Sequence, residues 1–144
     1  MTLYLDTSSA IKLFVLEAGS DVVHALVGAA AVVATSSITY AETRAGLARL
    51  RRERALTAPK YMAAKREFEQ QWPSFMTLDA TAALCRTAGE LAERYRLRGF
   101  DSVHLATFAE VARRAGPRET RFSSFDDRLN QAAQRLARRL ERQS

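Results

Sequence analysis

Four acidic residues stand at points of the chain where their carboxylates could work together. They are Asp6, Glu42, Asp101 and Asp126. Carboxylates that converge repel one another and raise one another's pKa, a cost that a bound divalent cation removes. Mg²⁺ and Mn²⁺ prefer oxygen ligands and keep several of their waters. A site of this kind can deprotonate a water and neutralise the charge that develops on a phosphoryl group.

Taken singly, each of these acids also has a structural interpretation. Asp6 and Asp101 stand where helices are predicted to begin, and a lone Asp there most often caps the helix. The segment Thr39–Glu42 fits the T-x-x-E pattern of a capping box. Asp126 and Asp127 lie between a predicted strand and a predicted helix, so one can cap while the other faces a cleft. Convergence of the four carboxylates at one place would favour a metal-binding role over helix capping.

Short apolar segments predict the strands that would bring the acids together. They are Leu3–Leu5, Ala31–Ala34, Ser74–Leu78 and Thr120–Phe125. Helical segments separate them, including Ile11–Leu16, a basic helix from Ile38 to near Leu56, and a helix with Asp79 as its predicted N-cap. This alternation predicts an α/β fold, a short central parallel sheet of about four strands with helices on both faces. Ligands bind at the carboxyl ends of such strands.

The composition describes a globular protein with an excess of positive charge. The 144 residues include 22 Lys and Arg against 16 Asp and Glu, a formal net charge of +6. This excess favours an anionic partner. Cys85 is the only cysteine, which excludes a disulfide framework and a cysteine zinc site. We recognise no membrane span and no signal peptide, and expect a single domain over residues 1–144, located in the cytoplasm.

Motifs for other chemistries are absent. The chain has no P-loop, no G-x-G-x-x-G and no G-x-S-x-G nucleophile elbow. Two alternatives stay open. One is a non-catalytic basic α/β module that binds nucleic acid or protein through its arginine-rich helices. The other is a phosphoryl-transfer protein that uses Asp6, which is disfavoured because position 8 is Ser8, where aspartyl phosphatases have a second Asp.

Four segments carry a resemblance to a known family. They are Leu3–Ser9, Ser37–Glu42, Gly99–Thr107 and Ser124–Ala133. In this order, and over nearly the whole chain, they resemble the PIN domain and, within it, the VapC-type toxins of bacterial toxin–antitoxin pairs. The resemblance implies a PIN-like fold.

The resemblance also implies roles for individual residues. Asp6 and Asp101 would be the principal metal ligands, and Glu42 and Asp126 would complete the catalytic site through the metal or its waters. Asp126 is preferred to its neighbour because the family pattern D-x-x-L then ends at a leucine. Ser124 would be a supporting hydroxyl.

The activity implied by the resemblance is hydrolysis of RNA by a Mg²⁺- or Mn²⁺-dependent endonuclease, with water as the nucleophile. It also implies a homodimer and a cognate antitoxin protein, a segment of which would enter the active-site groove. The basic hairpin from Arg44 to Arg66 is where we expect RNA or antitoxin to make contact. His104, three residues after Asp101, is expected to make a structural hydrogen bond rather than to bind metal.

Overall fold

The computed structural model describes all residues from Met1 to Ser144 and contains one sheet of four parallel strands. The strands are β1 (Thr2–Leu5), β2 (Val32–Ser36), β3 (Met76–Leu78) and β4 (Thr120–Ser123). Their order across the sheet is β3-β2-β1-β4, so β1 is central. In the register, Leu5 pairs with Ser123. The carboxyl ends of β1 and β4 therefore lie side by side.

The fold has seven α-helices, of which six lie between successive strands and the last follows β4. They are α1 (Thr7–Ala10), α2 (Ser20–Ala29), α3 (Ile38–Arg52), α4 (Ala58–Gln71), α5 (Ala82–Tyr95), α6 (Gly99–Ala115) and α7 (Asp127–Gln143). Short 3₁₀ helices cover Ile11–Leu13, Trp72–Ser74 and Pro117–Glu119. None of the helices combines the length and apolar character that crossing a membrane requires.

Two hydrophobic cores cover the two faces of the sheet. On one face, Tyr4 packs in a core with apolar side chains of α5, α6 and α7. On the other, Leu3 and Leu5 pack with side chains of α2, α3 and α4. Alternate side chains of a strand point to opposite faces, so one short central strand anchors both layers. The predicted fold class, a short parallel sheet with helices on both faces, is confirmed.

The connection between β1 and α2 differs from the sequence prediction. The predicted helix Ile11–Leu16 is instead the one-turn helix α1, which begins directly after β1, followed by the 3₁₀ turn. Leu16 lies outside both and is 96 % exposed. The early start of α1 has a local cause, because Asp6 caps it and leaves no room for a loop.

Two further boundaries were predicted incorrectly. Asp79 does not cap α5; Thr81 does, and its hydroxyl accepts the backbone N–H of Leu84 at 3.1 Å. Helix α3 ends at Arg52 rather than near Leu56, and Arg54 beyond it adopts a left-handed φ of 60°. A left-handed residue ends a helix because it turns the chain out of the helical path.

Candidate active site

Asp6 follows β1 directly and lies inside the protein. Its side chain is only 4 % exposed. Oδ1 accepts the backbone N–H of Ser9 at 3.0 Å and the hydroxyl of Ser8 at 2.7 Å, and Oδ2 accepts the hydroxyl of Ser124 at 2.5 Å. The predicted capping role is therefore present, and three donors surround the carboxylate.

All of these donors to Asp6 are electrically neutral. Asp6 forms no salt bridge. Burial raises the pKa of Asp6, and the hydrogen bonds from Ser124, Ser8 and Ser9 offset only part of that effect. A buried carboxylate without a cationic partner is costly to ionise. A cation placed beside Asp6 would therefore stabilise its ionised form.

Glu42 lies in α3 and turns toward the carboxyl end of β1. Its Oε1 accepts the hydroxyl of Thr7 at 2.6 Å and Nε2 of His104 at 2.9 Å. Burial raises its pKa, but the hydrogen bonds from His104 and Thr7 outweigh burial, so that the pKa of Glu42 is lowered overall. Glu42 is thus held as an anion.

The capping-box interpretation of Glu42 was wrong. Ser37, at the N-cap of α3, makes no side-chain capping bond, and its hydroxyl instead accepts the backbone N–H of Ala80. Thr39 is fully buried, and its hydroxyl bonds to that of Thr35 at 2.7 Å. The carboxylate of Glu42 therefore makes no capping bond to the N-terminus of α3 and instead faces the other residues of the candidate site.

A buried pair, Tyr4 and His104, fixes the orientation of Glu42. The hydroxyl of Tyr4 lies 2.9 Å from Nδ1 of His104. Burial raises the pKa of Tyr4 well above its ordinary value, so the hydroxyl keeps its proton. Because the carboxylate of Glu42 can only accept, Nε2 of His104 carries a hydrogen and donates a hydrogen bond to Glu42. His104 has the structural hydrogen bond expected of it, but its link to Tyr4, a hundred positions away, left no signal in the sequence.

Asp101 and Asp126 form a second, more exposed part of the site. Nε of Arg98 donates to Oδ2 of Asp101 at 3.2 Å, and Nη2 of the same guanidinium lies 3.6 Å from Oδ2 of Asp126. The side chain of Arg98 is 83 % exposed. One exposed cation therefore partly neutralises both carboxylates.

The predicted capping roles differ between these two acids. Asp101 does not cap α6, because the helix begins at Gly99 with Arg98 at its N-cap position. Asp126 does cap α7, since its Oδ1 accepts the backbone N–H of Leu129 at 2.8 Å. Its Oδ2 is left to face Arg98.

Ser124 joins the two parts of the site. Its hydroxyl donates to Asp6 and accepts the backbone N–H of Asp126 at 3.0 Å. Glu42 and Asp101 line a common cleft of about 660 Å³. Asp6, Asp126 and Asp101 are thus linked through Ser124 and Arg98, and Glu42 faces the same cleft as Asp101.

The cluster fits a divalent cation in its chemistry. Its donors are carboxylate and hydroxyl oxygens, which Mg²⁺ and Mn²⁺ prefer, and Asp6 lacks any other cation. No three acidic, cysteine or histidine side chains surround a common point. On the exposed side, Arg98 lies between Asp101 and Asp126.

The fold and the site define an α/β protein with acidic residues grouped at the carboxyl edge of a parallel four-stranded sheet. The family model described as PIN domain matches residues 3–135, and the chain belongs to that family. The family predicted from the sequence is therefore confirmed.

Individual relatives agree with this assignment. Ribonuclease VapC45 of Mycobacterium tuberculosis is 36 % identical over 108 residues, 75 % of each chain. Among solved structures, VapC20 of Mycobacterium tuberculosis, described as a sarcin-ricin loop cleaving toxin, superposes with a TM-score of 0.64. It is 22 % identical, and the match covers 90 % of this chain and 94 % of VapC20. FitAcB of Neisseria gonorrhoeae, also 22 % identical, has a TM-score of 0.61 over 92 % and 93 % of the two chains.

Proposed function

We propose that this chain is a Mg²⁺- or Mn²⁺-dependent endoribonuclease and the toxin of a toxin–antitoxin pair. The observation that carries the proposal is the cluster itself, in which Ser124 and Arg98 link Asp6, Asp126 and Asp101, and Glu42 shares a cleft with Asp101. The name of the relative, a ribonuclease, supports the same activity. The substrate is RNA, and the partners are a cognate antitoxin protein and a second copy of the chain. A cytoplasmic location stays a prediction.

Each acid has a distinct part in the proposed reaction. Asp6 and Asp101 would hold the metal ion, and Asp126 would complete its surroundings. When bound, the ion lowers the pKa of a coordinated water and neutralises charge on the phosphoryl group. Glu42 keeps Oε1 in hydrogen bonds to Thr7 and His104, while its Oε2 makes none. Oε2 can therefore accept a hydrogen bond or a proton from the attacking water.

The activity is tested by RNA cleavage with Mg²⁺ or Mn²⁺, comparing the wild type with Asp6→Asn and Asp101→Asn. Asparagine caps a helix as well as aspartate does, so the change at position 6 removes charge without removing the cap. We expect a loss of about 100-fold or more in each variant. The matched control is Asp21→Asn, an exposed acid of α2, which should cleave as the wild type does. Full activity in both site variants, or none in the wild type with either metal, would contradict the proposal.

The choice of Asp126 over Asp127 as a site residue can be tested by comparing one variant at each position. Asp126→Asn keeps the cap on α7 but removes the charge that faces Arg98, whereas Asp127→Asn changes an exposed neighbour that makes no salt bridge. We expect the first change to reduce cleavage at least about tenfold and the second to leave it within about twofold. Equal losses would reject the choice of Asp126.

A non-catalytic binding module remains the second candidate. Asp6 and Asp126 both cap helices, and no three of the acids surround a point at which a metal ion could bind. On this alternative, Mg²⁺ or Mn²⁺ would not raise the melting temperature of the wild type. Metal binding to the folded state would raise it, and the rise should disappear in the double variant Asp6→Asn/Asp101→Asn.

A further inference from the structure

One exposed face of α7 carries a row of arginines that the catalytic cluster does not use. It consists of Arg128, Arg135, Arg139 and Arg142, all exposed. At 3.6 residues per turn these positions fall within an arc of about 60° along about 21 Å of helix. We call this row the α7 arginine stripe. Its members therefore point to the same side of the helix.

The stripe is not balanced by acidic neighbours. None of its arginines takes part in a salt bridge. In α6, by contrast, Arg113 and Arg114 both pair with Glu110. Arg135 and Arg139 are four residues apart, a spacing at which like charges destabilise a helix. The stripe thus carries a small cost to folding that a bound anion would offset.

The stripe begins beside the catalytic cluster. Arg128 follows the cap of α7 by two positions, and its Nη1 donates to the carbonyl of Arg96 at 3.5 Å. Two residues further along that segment, Arg98 reaches Asp101 and Asp126. Positive charge is therefore continuous from the carboxylates onto the outer face of α7.

The surface of the stripe favours a nucleic acid over a protein partner. Helix α7 contributes none of the large apolar side chains that are exposed on this protein. Protein interfaces have apolar centres, whereas nucleic-acid interfaces are polar and positively charged. Guanidinium groups bind phosphate through paired hydrogen bonds.

We propose that the α7 arginine stripe binds the backbone of single-stranded RNA and leads it to the carboxylate cluster. The proposal rests on the proposed ribonuclease function, because the cluster itself is acidic and repels the RNA that it would cleave. Each arginine of the stripe contacts phosphate, so the contribution is independent of base sequence. The flank of the RNA on one side of the cleaved bond lies along α7.

The test is binding of a labelled single-stranded RNA oligonucleotide to the full chain, measured by fluorescence anisotropy in EDTA so that no cleavage occurs. The stripe variant is Arg135→Gln/Arg139→Gln. The matched control is Arg113→Gln/Arg114→Gln, which loses the same charge from arginines that are already paired. Glutamine is a good helix former, and a cooperative thermal melt of each variant will verify that both fold.

We expect the stripe variant to bind RNA about tenfold more weakly than the wild type at low salt, and the control within about twofold. The slope of log affinity against log salt should fall by about 0.7 for each lost phosphate contact. Equal weakening in both variants, no weakening in the stripe variant, or no RNA binding by the wild type would overturn the proposal.

Cleavage with Mn²⁺ separates this inference from the function on which it rests. If the wild type cleaves RNA and the stripe variant binds and cleaves as the wild type does, the stripe proposal fails while the ribonuclease stands. If the wild type cleaves no RNA, the proposed function fails. Weaker binding of an acidic antitoxin segment, with RNA binding unchanged, would also reject RNA as the occupant of the stripe.

Discussion

The two halves of the candidate site are built in different ways. Asp6 and Glu42 lie at the end of the central strand, surrounded by hydroxyls, a backbone N–H and the buried His104. Asp101 and Asp126 lie on the outer side, where their only cationic partner is the exposed Arg98. We call these the inner and the outer half of the site.

The difference indicates what each half contributes. Hydroxyl and backbone donors orient the carboxylates of the inner half without cancelling their charge, so the inner half keeps its attraction for a cation. In the outer half a long, solvent-exposed side chain supplies a charge that a metal ion could replace. The inner half is therefore fixed by folding, while the outer half can rearrange when a ligand binds.

The largest loss in the free energy of unfolding should come from breaking the buried hydrogen bonds of His104 in the inner half. His104→Ala removes a 3 % exposed side chain, takes the Nδ1 partner from the Tyr4 hydroxyl and leaves Glu42 with only the Thr7 hydroxyl as donor. We expect a loss of about 3 kcal/mol in the free energy of unfolding, from the cavity and the unpaired polar groups. Denaturant unfolding measures it. His24→Ala, an exposed histidine in α2, is the control and should cost less than about 0.5 kcal/mol.

A smaller change tests the orientation of the same histidine. Tyr4→Phe keeps the buried ring and removes only the hydroxyl that lies against Nδ1 of His104. The cost should be about 1 kcal/mol, and Nε2 should keep its hydrogen because the carboxylate of Glu42 still accepts it. Nitrogen NMR of the imidazole reports which ring nitrogen carries hydrogen. A wild type whose Nε2 lacks a hydrogen would contradict the assignment.

The charge of the inner half gives a pH-dependent prediction for protein kept in EDTA. Burial raises the pKa of Asp6, so the folded state favours the protonated carboxyl and loses stability as rising pH ionises it. Asp6→Asn cannot ionise. It should therefore melt above the wild type at pH 7, with an advantage that shrinks as the pH falls toward about 4.

Adding Mn²⁺ should make the wild type melt above Asp6→Asn at pH 7, because the ion stabilises only the wild type. Thermal melts from pH 4 to pH 8 provide the measurement. A wild type that is the more stable protein at pH 7 in EDTA would show that the hydroxyl donors, rather than a cation, satisfy Asp6.

The smallest effect on stability should come from the outer half. Arg98→Gln removes an 83 % exposed guanidinium, and exposed ion pairs contribute less than about 1 kcal/mol. The same change should strengthen Mn²⁺ binding, since Asp101 and Asp126 lose their competing cation. Isothermal titration calorimetry tests this against Arg86→Gln, an exposed arginine of α5 without a salt bridge. Unchanged or weaker Mn²⁺ affinity in Arg98→Gln would mean that the outer half takes no part in metal binding.

The sequence predicted the parts of the site that depend on chain order. Asp6 follows an apolar strand, and the alternation of strands and helices places it at the sheet edge where Ser124 also ends up. Helix boundaries were less accurate. The acids of α3 and α6 were given capping alternatives that the structure excludes, because Glu42 and Asp101 find partners elsewhere.

Contacts between distant segments could not be predicted. In the sequence, Tyr4 is one residue of a short apolar strand, and nothing in its neighbours indicates that its hydroxyl contacts His104. The role of Arg98 was equally hidden, since an arginine before a helix is common in a chain with this composition. Such pairs are specified by three-dimensional packing, which a single sequence does not display.

The most direct test is the anomalous difference map of crystals of the wild type soaked in Mn²⁺. The account predicts a peak at the carboxyl edge of the sheet that contacts Asp6 and at least one acid of the outer half, with Arg98 displaced from Asp101. A peak held by the outer half alone, or no peak at this edge in a protein that cleaves RNA with Mn²⁺, would contradict it.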